Sequence, residues 1–358
     1  MQFGLSESQQ ILKNNAKKFF ATECAMSEVR RLMETPTAHD SGLWDKMAEQ
    51  GFTGITVPEA FGGLGLGKVE LALLLEEMGR ALVPGAFFST VVVCANMIEA
   101  AGSDDQKREY LGRICDGEVL AAFASYDRPG AAVTALGGSL SGEKLLVADA
   151  AVANFFVVEA GKAVYIVDAA TPGITITPLP AMDLTRKLYA VKFENAAAEK
   201  LAGSYERALE IAALGLAAEM VGGMQRVLDQ TVEYAKTRKQ FGNPIGQYQA
   251  VQHHCADMFL QMESARSAVY YAAWALEENA PDASVAVSVA KMYASDAARD
   301  SGNRGIQVHG GMGFTWENDL HLHYRRFKSS ETAFGDATFH RERIAQLVID
   351  SGVKAEVA

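Results

Sequence analysis

LAAFASY (120–126), VTALGGSLSG (133–142), KLLVADA (144–150), NFFVVEAG (154–161), AVYIVDA (163–169), ITITPL (174–179) and YAVKFENA (189–196) follow one another in the middle of the chain. Each is a short apolar run, several are β-branched or aromatic, and they recur every roughly eight to twelve residues. Gly137-Gly138, Gly142, Gly161 and Pro172-Gly173 supply the turns between them. The pattern predicts an antiparallel β-sandwich or barrel over residues 119–199.

On either side the periodicity changes to that of helices. Upstream, Ser6 precedes QQILKNNAKKFF, where Ile11, Ala16 and Phe19 or Phe20 are expected on one face. Asp40-Ser41 reads as the cap of a helix over 42–50. VELALLLEEMGRAL (69–82) and TVVVCANMIEAAG (90–102) continue the pattern, with Gly102 as a stop. Between them VPEAFGGLGLG (57–67) carries four glycines. It has neither the dinucleotide nor the Walker spacing, so a tight loop with positive φ is expected rather than a phosphate cradle.

Downstream, Val221, Met224, Leu228, Val232 and Ala235 fall at helical spacing. A second long helix over about 249–278 aligns Val251, Cys255, Met258, Met262, Ala265, Val269, Ala272 and Leu276. A third covers about 283–303 and is rich in Ala and Val. The fold class is therefore mainly α with a β insert. An N-terminal helical domain (1–118) precedes a middle antiparallel β-sandwich or barrel domain (119–199) and a C-terminal four-helix bundle (200–358).

Composition narrows the function classes. The 358 residues carry 33 Lys plus Arg against 44 Asp plus Glu, a net charge of −11. That balance argues against phosphate-neutralising nucleic-acid binding and against docking on an anionic membrane. Cys24, Cys94, Cys115 and Cys255 are scattered and make no C-x-x-C pair, which points to a reducing compartment. With no signal-peptide pattern and no long uninterrupted apolar stretch, a cytoplasmic protein is expected.

Three segments bear chemistry. Arg238-Lys239-Gln240-Phe241-Gly242 follows a long helix. A guanidinium there could clasp a diphosphate, with Phe241 against an aromatic base, or simply complement the helix dipole. Gln307-Val308-His309-Gly310-Gly311-Met312-Gly313 could let backbone approach a ligand, or link two helices. His321-x-His323 shows no third ligand, so no metal site is expected. Tyr324-Arg325-Arg326-Phe327-Lys328 is a basic run that could be solvated, ion-paired or turned to an anionic cofactor.

Together VPEAFGG, YAKTRKQFGNPIGQYQAVQ (234–252), IQVHGGMGF (306–314) and the spacing to Tyr324-Arg325-Arg326-Phe327-Lys328 resemble the acyl-CoA dehydrogenase family. The resemblance spans nearly the whole chain and implies the same three-part fold. It implies FAD, an acyl-CoA substrate oxidised to the 2,3-enoyl thioester, a carboxylate base and an electron-transfer flavoprotein as electron acceptor. Family members share each FAD between neighbouring subunits. On this basis Arg238, Phe241, Gln307 and Gly311 would reach a neighbour's FAD.

The chain departs from the family at two places. The family's T-E-P-x-A-G-S-D run, which holds the flavin ring, corresponds to Ala124-Ser125-Tyr126-Asp127-Arg128-Pro129-Gly130-Ala131. The following strand, Lys144-Leu145-Leu146-Val147-Ala148-Asp149, has neither the aromatic nor the hydroxyl. The usual base position, counted from Arg325, is Phe334, and the alternative position is Ala212. Nearby carboxylates Glu210, Glu219 and Glu331 read as solvated helix residues.

The resemblance thus implies a non-catalytic partner subunit of a bacterial heteromeric acyl-CoA dehydrogenase, acting with a second, fully equipped subunit. Two rivals stay open. One is a homo-oligomeric enzyme with a displaced base at Glu219, Glu210 or Glu331. The other is a flavin-free scaffolding protein on the same fold.

Overall fold

The computed structural model describes residues 4–350. They divide into two compact units. One takes the described residues of Met1–Met26, Lys68–Val83 and Ala213–Ala358, the other Ser27–Gly67 and Pro84–Ala212.

The second unit contains the β structure. Its strands are β1 (Ala121–Ala124), β2 (Thr134–Leu136), β3 (Ser139–Ala148), β4 (Phe155–Ala160), β5 (Ala163–Asp168), β6 (Ile174–Leu179), β7 (Leu188–Ala197) and β8 (Glu199–Lys200). They form two four-stranded sheets, ordered β1-β4-β5-β8 and β2-β3-β7-β6. Residues of both sheets share one core, where Phe156 of β4 meets Phe193 of β7 edge to face at 6.2 Å. One pairing departs from the expected antiparallel pattern: β1 runs parallel to β4, with Ala121 opposite Phe155. The chain leaves β1, builds β2 and β3 in the other sheet, and returns in the original direction. Such a long crossover is what a parallel pair requires.

β3 is irregular against β7, with register shifts between Leu140 and Gly142 and between Lys144 and Val147. The second leaves Leu146 at φ +56° and exposed, as at a β-bulge. Helices complete the unit. Ser41–Glu49 is capped by the Asp40 carboxylate, which accepts from the Leu43 amide. The helix expected over 90–102 is present but opens as a π-helix, Phe88–Ala95, before Asn96–Ala101. The Asn96 amide donates to the Val91 and Val92 carbonyls at 3.2 and 3.1 Å, occupying acceptors that a regular helix would use itself. The 57–67 segment is a loop with a short 3-10 turn, and Gly62 and Gly65 have positive φ.

The first unit is helical: Glu7–Glu23, Lys68–Ala81, Gln249–Glu277, Ala283–His309, Leu320–Thr332, Ala337–Ala345 and most of Glu206–Thr237. Ser6 and Gln9 form a capping box at the first helix. Ala16 and Phe20 are buried there as expected, but Ile11 is 53% exposed. Five residues from Ala16, it falls well round the helix from the i, i+4 pair. Met258, Met262, Ala265, Val269, Ala272 and Leu276 are all buried. The third long helix continues past its expected end to His309. Glu206–Thr237 is long and apolar enough to cross a membrane, yet 89% of its most apolar window is buried inside the protein.

Candidate functional site

The helix ending at Thr237 hands over to a two-residue hairpin, in which Lys239–Gln240 pairs antiparallel with Asn243–Pro244. The turn residues Phe241 and Gly242 have φ of +53° and +83°. Positive φ at both central residues matches the twist of a tight hairpin, and glycine accepts it without cost. Phenylalanine does not: a bulky residue there is a strained outlier. Phe241 is also 91% exposed, so it gains no burial in return.

Arg238 stands at the base of this hairpin. Its amide donates to the Tyr234 carbonyl and its carbonyl accepts from the Ile245 amide, each at 2.8 Å. Its side chain is exposed, and the guanidinium takes no partner among the described residues.

The hairpin is brought to the end of helix Ala283–His309. Ala235, Ile245 and Val308 form a buried cluster with Tyr234 and Val251 against it. The Tyr234 ring stacks on His309 at 4.3 Å and 20°. His309 Nδ1 donates to the Gly305 carbonyl at 2.8 Å, and burial lowers its pKa, so it is a neutral structural residue. Gln307 is therefore in the last helical turn rather than in a linking loop, and it is exposed. Gly310 turns the chain at φ +59°, and a Cβ on Gly310 or Gly311 would meet nothing within 4 Å. Arg238, Phe241, Gln307 and Gly311 are thus all exposed on the two segments that one small apolar cluster joins.

Two exposed aromatic residues follow, Phe314 at the end of the IQVHGGMGF motif and Trp316, which the sequence did not single out. Phe314 and Trp316 are 79% and 52% exposed, and the Arg325 guanidinium lies over the Trp316 ring at 5.2 Å. Their position within five residues of the double glycine was the available signal.

Of the three displaced-base candidates, Glu210 and Glu219 are buried and Glu331 is partly buried, and all three are ion-paired. Glu219 is 3% exposed, and its carboxylate lies 3.6 Å from Arg326, itself buried and donating to the Val83 carbonyl. Glu210 is 5% exposed and pairs with Arg207 at 2.9 Å. Glu331 pairs with Lys328 at 2.5 Å and with Arg299 at 3.7 Å. Each carboxylate has a cation one helical turn away or on a facing helix, which permits its burial. Ala212 is fully buried.

Phe334 occupies a turn at φ +54°, its carbonyl accepting from His340 Nε2 at 3.0 Å. Buried Lys291 donates to the Ser330, Glu331 and Gly335 carbonyls of the same turn at 3.0, 3.2 and 2.9 Å. Burial lowers the Lys291 pKa to about 8 and the His340 pKa to about 4.

The 125–133 loop of the second unit is hydrogen-bonded to β3 along its length. Lys144, 1% exposed, places Nζ 2.7 Å from Asp127 Oδ1 and donates to the Ser125 carbonyl at 2.8 Å. The Arg128 amide donates to Glu143, the Ala131 amide to Arg128, and the Val133 amide to the Asp127 carboxylate. The Arg128 guanidinium also pairs with Glu143 at 2.5 Å. The Asp127 carboxylate, the Lys144 ammonium and the Ser125, Tyr126, Arg128 and Ala131 carbonyls are committed to one another or to β3, while the Ser125 and Tyr126 side chains stay exposed; a loop paired internally in this way is a poor fit for a flavin ring.

The chain belongs to the acyl-CoA dehydrogenase family: residues 6–118 match its N-terminal domain and 203–349 its C-terminal domain. The acyl-CoA dehydrogenase IpdE2 of Mycobacterium tuberculosis is 33% identical over 332 residues, covering 90% of this chain and 92% of that one. Among solved structures, the ChsE4-ChsE5 complex from Mycobacterium tuberculosis aligns with a TM-score of 0.90 and 26% identity over 97% of this chain and 98% of that one. PigA with FAD and proline aligns at a TM-score of 0.88 and 26% identity, again over 97% and 98%.

Proposed function

We propose that this chain is the non-catalytic subunit of a hetero-oligomeric acyl-CoA dehydrogenase, and that it supplies the adenosine-diphosphate half of an FAD site completed by a second family member. The carrying observation is the exposed set at the end of the first unit's long helices. An unpaired guanidinium, a strained exposed aromatic and an open double glycine lie on the two segments that one apolar cluster joins.

In that reading Arg238 clasps the diphosphate, Phe241 packs on a flat aromatic group, Gln307 hydrogen-bonds beside it, and Gly311 lets backbone approach. Bound FAD would supply the electron-accepting chemistry that converts an acyl-CoA to its 2,3-enoyl thioester, with an electron-transfer flavoprotein as the onward acceptor. Existence of the ChsE4-ChsE5 complex and of PigA with FAD supports a shared-flavin assembly on this fold. The functional parts follow the division 1–118, 119–199 and 200–358.

The test is flavin absorbance per chain, alone and co-purified with a second family member. Little flavin alone and one FAD per heterodimer are expected. Arg238→Ala should weaken FAD retention about ten- to hundred-fold, the value of a charge-assisted hydrogen bond of roughly 1.5–3 kcal/mol. One FAD per isolated chain would overturn the reading in favour of a homo-oligomeric enzyme. A flavin-free complex would favour the scaffold.

The ion-paired carboxylates give a second expected result. Glu210→Gln, Glu219→Gln and Glu331→Gln should each leave turnover of the active complex within a few-fold, whereas loss of a general base costs at least about a hundred-fold. A drop of that size in one variant, with FAD content and assembly unchanged, would identify a displaced base.

A further inference from the structure

The 125–133 loop corresponds to the run that the family resemblance associates with the flavin ring, and here Lys144 ties it to β3. Its tip is exposed, Ser125, Tyr126 and Arg128–Gly130 alike, and its far end is anchored by Val133 in the sheet core.

Several of its polar groups are satisfied from β3. The Ser125 carbonyl takes the Lys144 ammonium, the Tyr126 carbonyl takes the Leu145 amide at 2.7 Å, and the Ala131 carbonyl takes the Glu143 amide at 2.9 Å. Asp127 receives both the ammonium and the Val133 amide. Lys144 is the member that makes this closure possible. An ammonium buried to 1% exposure is sustained only by close oxygen partners, and both of those partners belong to the loop.

We propose that Lys144 closes this chain's isoalloxazine half-site from inside, its ammonium serving as the internal ligand of the 125–133 loop and excluding a flavin ring. The inference deepens the reading of a flavin-sharing subunit and rests on it for the identity of the excluded ligand. It makes Lys144 a specificity-determining residue: the half-site is sealed, not simply worn away.

The test uses the full chain and two readouts. Deuterium exchange of the 125–133 amides should be the same in the isolated chain and in the FAD-loaded heteromer. It should quicken at least ten-fold in Lys144→Ser and in Asp127→Asn, which strands the ammonium. Lys144→Arg, able to pair with Asp127, should stay close to the parent. The second readout is quenching of lumiflavin, the ring without its diphosphate tail. Lys144→Ser opens space and adds a hydroxyl, so it should bind lumiflavin at least ten-fold more tightly than the parent. If Lys144→Ser does not fold, Asp127→Asn carries both readouts.

Unchanged exchange in both variants would overturn the internal-ligand role. A loosened loop with no gain in lumiflavin binding would overturn the exclusion. Stoichiometric FAD on the isolated parent chain would instead strike the shared-flavin reading, a result separable from the exchange data.

Discussion

Replacing Glu76 by alanine is expected to lower the stability of the chain by about 3–5 kcal/mol, the cost of removing one partner from a buried ion pair. Glu76 is 3% exposed on helix Lys68–Ala81. One oxygen lies 2.9 Å from Lys13 of the first helix and 3.1 Å from Arg266 of helix Gln249–Glu277. The other accepts from the Tyr270 hydroxyl at 2.6 Å. Burial, and then the Glu76 charge, push the Tyr270 pKa well up, so the phenol remains a donor.

Removing the carboxylate would leave two cations facing one another and the phenol without its acceptor, in a region 15–18% exposed at the cations. Natural domains are stable by only about 5–15 kcal/mol, so the variant should unfold at much lower urea. Glu76→Gln keeps a hydrogen-bond acceptor and should fall between. Exchange in Glu7–Glu23 should quicken first, because Lys13 carries that helix's share of the network. A loss under about 1 kcal/mol would show that the pair merely offsets its own desolvation.

Why some features were legible in the sequence and others not follows from the range of the interactions. The Met258–Leu276 stripe, the Asp40 cap and the strand spacing are set within a few residues, and all three were readable. The Arg238–Gly242 and Gln307–Gly313 segments were readable because a hairpin turn and a double glycine are local conformational demands. Their convergence was not. It depends on Ala235, Ile245 and Val308 meeting across some seventy residues.

The carboxylates show the same limit. Glu219 read as solvated because Arg326 lies about a hundred residues away, and nothing at helical spacing announced the pairing. The burial of Lys144 was not legible, since alternation along β3 is broken by the irregularity after it. The parallel β1–β4 pair and the π-helix at Phe88–Ala95 were likewise decided by tertiary partners, not propensity.

Gly222→Ala is expected to be the more damaging of two neighbouring glycine substitutions, and the reason is what each new methyl would strike. A Cβ on Gly222 would lie 1.7 Å from the Glu76 carbonyl oxygen, 2.6 Å from its carbon and 2.8 Å from the Arg80 nitrogen. Across the same crossing, a Cβ on Gly79 would lie 2.0 Å from the Glu219 carbonyl oxygen. Helices Lys68–Ala81 and Glu206–Thr237 therefore touch backbone to backbone.

Real Cβ contacts begin near 3.0 Å, so 3.0 − 1.7 gives a separation of at least 1.3 Å that no rotamer can supply. That movement would pull Leu71, Leu74, Leu75 and Met78 out of a close-packed core. Overpacking costs about 1–3 kcal/mol where neighbours can adjust, and more where they cannot. The helix gains roughly 1 kcal/mol from losing a glycine, so a net loss of about 2 kcal/mol or more is expected. At Gly223 the nearest atoms are Cε1 and Cζ of the Phe327 ring, at 2.5 and 3.0 Å. A ring can tilt, so Gly223→Ala should cost distinctly less despite similar burial. Urea midpoints of the two single variants measure the difference, and the opposite order would mean that these helices separate more cheaply than the Phe327 ring can turn.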